Sequence, residues 1–156
     1  MILRLVTGLV PVLAFLGLLV FLDSYKLIPL RRVLVAAGAG VLAALASLAC
    51  NMAILTAAAL DLPAYARWIA PWVEEAWKAL PIAWWVRRGR VGFLVDAAIL
   101  GFAVGAGFAV FENGYYVFQL GAGEGSSIAL WVVRGFGTAI MHGSATAIFA
   151  LFARGM

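Results

Sequence analysis

Apolar stretches of about 20–28 residues, each long enough to cross a bilayer as a helix, follow one another along this chain. Short charged or proline-containing breaks separate them. This pattern constrains the fold more than any single motif does. Hydrocarbon offers no hydrogen-bond partner to a backbone N–H or C=O, so a segment inside it must satisfy its own backbone, and unbroken apolar runs do so as α-helices. The chain is 66% apolar, too much for a soluble domain of 156 residues. The expectation is an all-α, polytopic membrane protein with about five transmembrane helices around an intramembrane polar cavity. The predicted spans are about 3–22, 33–59, 63–86, 93–120 and 128–152, and residues 1–156 are read as a single transmembrane domain with no extramembrane domain beside it.

Taken in order, the first run begins like a signal peptide, with Arg4 ahead of an apolar stretch to Leu22. It then meets Asp23-Ser24-Tyr25-Lys26 without a small-residue cleavage pattern, which predicts an uncleaved span with a kink at Pro11. A loop carrying Lys26, Arg31 and Arg32 follows. The second span is rich in Ala and Gly and sets Ser47 and Asn51 four apart on one face, a spacing suited to hydrogen bonds between helices or to support of a nearby site. The third opens at Asp61-Leu62-Pro63, and Pro71 and Pro81 bracket its charged centre. Trp84 and Trp85 read as an interfacial belt, and Arg87-Arg88-Gly89-Arg90 as a tight basic loop. The pair Gly101 and Gly105 suits close helix packing on the fourth span, and a flexible polar loop with Glu124 precedes the fifth.

The net charge of +4 comes from basic residues at span ends, so they read as topology signals and not as a nucleic-acid surface; the surrounding partner is the lipid bilayer. Their bias places the N-terminus outside and the C-terminus in the cytoplasm. The lone Cys50 excludes an intramolecular disulfide and a cysteine metal cluster.

Six ionisable groups fall inside spans: Glu74, Glu75 and Lys78 on the third, Glu112 on the fourth, Arg134 and His142 on the fifth. Each charge at a membrane helix centre costs about 2.5–3.5 kcal/mol on insertion, so such residues point to function. Glu74 and Lys78 are four apart and share a face, while Glu75 is turned about 100° away. Arg134, Thr138, His142 and Thr146 make one stripe, and Phe108, Glu112 and Tyr116 another, with Asn113 beside it. By height, Glu112 matches Arg134 better than His142, which places the cavity toward the outer face.

Two carboxylates crowded in a low dielectric cannot both ionise cheaply, which separates a general base from a general acid. A carboxylate that deprotonates water, beside a histidine that stabilises an oxyanion, can hydrolyse an amide. The same residue types suit zinc or manganese, with Glu75, Glu112 and His142 as ligands, although no His-Glu-x-x-His motif is present. Ser144 and Cys50 have no triad partners. Two other readings use the same residues: a proton or ion pathway through the buried Glu, Lys and His groups, and a scaffold whose charges only pair helices, as Glu74–Lys78 and Glu112–Arg134.

Glu74-Glu75-x-x-Lys78, Phe108-x-x-x-Glu112-Asn113 and His142-x-x-x-Thr146 resemble, in order and on successive spans, the motifs of PrsW-type membrane proteases, within the wider superfamily of CAAX-processing and bacteriocin-processing endopeptidases. The resemblance covers about 63–152 and implies a helical intramembrane protease of a bacterial plasma membrane. In PrsW-type members the substrate is a single-span anti-sigma factor. The resemblance makes Glu74 the base that activates water, with Glu75 beside it, and gives His142 a part in the oxyanion site. Thr146 stands where relatives often have Asn or Asp. Lys78, Asn113 and Arg134 are supporting residues. Glu112 stands where the CAAX branch has a second histidine; this counts against prenylated substrates and keeps a metal-dependent variant open.

Overall fold

A computed structural model describes residues 2–22, 28–58, 60–120 and 127–156. The predicted breaks holding Asp23 and Lys26, and the polar loop with Glu124, lie outside the described residues. Among the described residues the chain forms α1 (Ile2–Leu22), α2 (Leu30–Ala58), α3 (Leu62–Trp68), α4 (Ala70–Arg87), α5 (Leu94–Leu120) and α6 (Ile128–Gly155), with no strand. Helices α1, α2, α5 and α6 are each long and apolar enough to cross a membrane. Helix α4, with its charged centre, is not apolar enough to count among them, although its 18 residues span about 27 Å at 1.5 Å per residue, close to the hydrocarbon thickness of a bilayer.

The predicted third span is not one helix. Asp61 caps α3, its Oδ2 accepting from the Ala64 N–H at 3.1 Å, with Pro63 in the first turn. The helix closes at Ile69, whose N–H donates to the Tyr65 carbonyl at 2.9 Å. Pro71 has no N–H to offer the carbonyl four residues back, so the ladder stops and restarts with Val73 on Ile69. Pro81 and Pro11, by contrast, lie inside unbroken α4 and α1. Arg31 and Arg32, predicted in a loop, belong to the first turn of α2.

The basic loop after α4 is a Schellman turn. Arg90 N–H reaches the Trp85 carbonyl (2.9 Å), Gly89 N–H reaches Val86 (3.0 Å), and Gly89 takes the left-handed φ of 64°. The turn reverses the chain directly into α5.

Helix α5 is the centre of the bundle, packed against α1, α2, α4 and α6. Its residues 103–109 are buried without exception. The α5–α6 seam depends on the predicted glycine pair. A Cβ on Gly105 would collide with the His142 carbonyl, and one on Gly101 would come within 2.7 Å of the Thr146 carbonyl. The backbone of α6 therefore lies against α5 at the level of His142. The outer surfaces carry Leu34, Leu42, Phe93, Val133, Phe136, Ile140 and Phe152, all exposed, as a lipid-facing wall requires.

Candidate active site

All six intramembrane ionisable residues converge. Glu75 Oε1 lies 2.5 Å from Lys78 Nζ, one turn along α4. Lys78 Nζ continues to His142 Nδ1 on α6 at 2.8 Å. His142 Nε2 meets Glu112 Oε2 on α5 at 2.7 Å, and Glu112 Oε1 accepts from Arg134 Nη2 at 2.8 Å. The chain of contacts crosses three helices. Lysine only donates, so His142 Nδ1 accepts from the ammonium and Nε2 carries the proton given to Glu112.

Aromatic rings enclose this chain. Phe108 lies 4.5 Å beneath the Lys78 ammonium and 5.0 Å from the imidazole, and the Tyr116 ring lies 3.8 Å from the Arg134 guanidinium. Lys78 and His142 are buried, at 0% and 2% exposure, while Glu75 is half exposed. Two cations offset two of the three carboxylates. The remaining one is Glu74, which makes no hydrogen bond or ion pair to a described residue and lies within electrostatic reach of Glu112, His142 and Lys78.

Glu74 faces a cavity of about 240 Å³ between α2, α3, α4 and α5. Glu112 shares its wall, with Phe108 and Phe111 as apolar lining. On the same cavity the Tyr65 hydroxyl donates to Asn51 Oδ1 at 2.7 Å, and Asn51 Nδ2 reaches Ser47 Oγ at 3.3 Å. Glu75 faces a separate groove between α4 and α6, with Trp72, Thr146 and Phe149.

The predicted residues thus fall into groups. Glu74 and Glu112 stand on the cavity, and His142 and Arg134 hold Glu112 from behind. The expected Glu74–Lys78 pair does not form, because Lys78 is engaged by Glu75 and His142. The expected Glu112–Arg134 pair does form. Height along the helices separated Arg134 from His142, yet Glu112 uses one oxygen for each. Thr146 Oγ1 donates to the His142 carbonyl at 2.8 Å, within its own helix. Asn113 points away from the cavity: its Nδ2 donates to the Gly8 carbonyl of α1 (2.9 Å) and to Thr138 Oγ1 (2.8 Å), fastening three helices. Sequence reasoning missed Tyr65. Its one signal was a tyrosine fourteen residues beyond Asn51, across the Asp61-Leu62-Pro63 break, and only the fold brings the two together.

The site thus gathers carboxylates, a histidine and two cations inside an apolar helical bundle, beside an internal cavity. The family model for PrsW family intramembrane metalloproteases matches residues 28–154. The chain belongs to that family, a family of membrane proteases. Neither the curated proteins nor the solved structures include a match to this chain.

The family description includes a metal, and the donor set here does not fit one. Among the described residues no three His, Cys, Asp or Glu side chains come together as ligands. Both nitrogens of His142 and both oxygens of Glu112 are engaged, and Lys78 and Arg134 put two positive charges where a divalent cation would have to sit. Glu75, the third candidate ligand, is on the far side of Lys78.

Proposed function

We propose that this chain is an intramembrane endopeptidase that hydrolyses a peptide bond of a membrane-protein substrate, with Glu74 activating the water. The observation that carries this reading is the unpaired Glu74 carboxylate on the cavity wall it shares with Glu112. Glu74 takes a proton from water, and the resulting hydroxide attacks the scissile carbonyl carbon. As the tetrahedral intermediate collapses, the C–N bond breaks and the leaving amine takes the proton back from Glu74. Glu112, fixed by His142 and Arg134, positions the water. Asn51, its Oδ1 held by the Tyr65 hydroxyl, offers its second Nδ2 hydrogen to the developing oxyanion. With both ring nitrogens engaged, His142 acts through Glu112. Zinc or manganese, held by Glu75, Glu112 and His142, has no part in this scheme.

The substrate class that suits the family is a single-span membrane protein of the anti-sigma-factor kind, cut within a bacterial plasma membrane. The apolar cavity lining suits an unwound membrane segment. A proton-relay reading has the continuous Glu75-to-Arg134 contact chain in its favour, but that chain ends on a guanidinium, which cannot pass a proton on. A scaffold whose charges only pair helices has no use for an unpaired Glu74.

The test is cleavage of a single-span substrate by purified protein in proteoliposomes. Glu74→Gln should lower the rate by about 100-fold or more at unchanged fold. Unaltered cleavage by both Glu74→Gln and His142→Ala would sink the proposal.

A further inference from the structure

A second concave site lies at the opposite end of α4. Arg31 and Arg32 from the first turn of α2, Arg90 from the α4–α5 turn, and Pro29, Val35, Trp85 and Leu100 line a cavity of about 460 Å³. Trp85 lies eleven residues beyond Glu74, about 16 Å along the helix, so this cavity is not part of the active site. The bias of basic residues toward one membrane face explains why arginines occur at this end. It does not explain why three of them share one hollow with no described carboxylate paired to any.

The local electrostatics make that arrangement costly when empty. The first turn of α2 has no acidic residue, so its positive dipole end adds to Arg31 and Arg32 instead of offsetting them. Arg90 is held in place by the Trp84 ring, 4.7 Å from its guanidinium. Guanidinium groups beside a helix N-terminus match a phosphate group, which takes forked N–H donors and backbone dipoles together. The rest of the lining is largely apolar, with Val35, Trp85 and Leu100 beside the arginines. An inorganic ion has no use for that apolar lining. A molecule with a phosphate at one end and hydrocarbon at the other uses both the arginines and that lining.

We propose that this cavity binds the phosphate headgroup of an anionic phospholipid, with the arginines on the phosphate and the acyl chain along Val35 and Leu100. The site clamps the start of α2 to the α4–α5 turn and tethers this end of the bundle to an anionic leaflet.

The test is thermal unfolding of the full chain in neutral detergent with added phosphatidylglycerol, phosphatidylcholine or inorganic phosphate. Phosphatidylglycerol should raise Tm by about 3–6 °C, with phosphatidylcholine and phosphate giving little. Arg32→Gln/Arg90→Gln should lose that rise, Arg32→Lys/Arg90→Lys should keep part of it, and Arg67→Gln at the other end of the bundle should keep all of it. All three arginines changed in these variants are exposed, so folding is retained. An equal rise with phosphatidylcholine, or a full rise in the double glutamine variant, overturns the site. A full rise with inorganic phosphate alone overturns its assignment to a lipid.

Discussion

Glu74 is left unpaired because Lys78 is taken. On an isolated helix the order Glu74–Lys78 would favour a pair, but the Lys78 ammonium sits between Glu75 and the imidazole of α6. Helical periodicity on one span could identify the charged residues and the faces they occupy. It could not show that an acceptor on another helix would compete for the lysine. The same holds for Asn113, whose spacing placed it near Glu112 but whose amide turns to the α1 backbone. Two predictions belong at this scale. Tyr65→Phe removes the hydroxyl that holds Asn51 on the cavity it shares with Glu74, while keeping the ring. It should lower kcat by about 10-fold with KM and Tm little changed. If Tyr65 only ties α3 to α2, Tm will fall and kcat will not. The second concerns metal. Cleavage by the purified protein should persist in a strong chelator, with elemental analysis showing no stoichiometric zinc or manganese. One metal per chain that disappears in Glu112→Gln/His142→Ala, together with chelator-sensitive cleavage, would instead make Glu112 and His142 ligands and require their present pairing to open.

At the scale of elements, the four long apolar helices were legible because lipid demands continuous hydrophobicity, and each observed end lies within a few residues of its expected place. The division of the third span was not. Its proline was visible, but whether Pro71 would bend a helix or end one depends on what surrounds the freed carbonyl, and only the folded chain decides that. Gly101 and Gly105 announced a close contact without naming the partner, which proves to be the His142 turn of α6. The position of His142 relative to Glu112 therefore rests on an absent side chain. Gly105→Leu should push α5 and α6 apart, lower stability by about 1–3 kcal/mol and reduce cleavage more than this loss of folded protein explains. Gly38→Leu on α2, where an added Cβ meets nothing within 4 Å, should do neither. Tm and cleavage measured on both variants test this, and equal behaviour of the two would show that the seam does not set the site.

The molecule as a whole has a charged end. Helix α2 begins, α4 ends and α6 ends there, so Arg31, Arg32, Arg87, Arg88, Arg90 and Arg154 gather at one face of the bundle. Arg154 fastens that face, its guanidinium donating to the Val91 and Gly92 carbonyls at 2.8–3.2 Å. Arg4 and Arg67 stand toward the other end. Charge bias near helix ends sets insertion orientation, so the arginine-rich face should be cytoplasmic, with the N-terminus outside. That orientation matters to the chemistry. Glu74 lies in the second turn of α4, close to the α3–α4 break, so its cavity lies toward the end of α4 opposite the arginine-rich face, which this orientation would make the outer one. A substrate should accordingly be cut toward its extracytoplasmic side. Tags placed at either terminus and probed with protease on intact spheroplasts give the check: the N-terminal tag should be removed and the C-terminal tag protected. The reverse result would put the catalytic cavity toward the cytoplasm and move the expected cleavage position to the other end of the substrate's span.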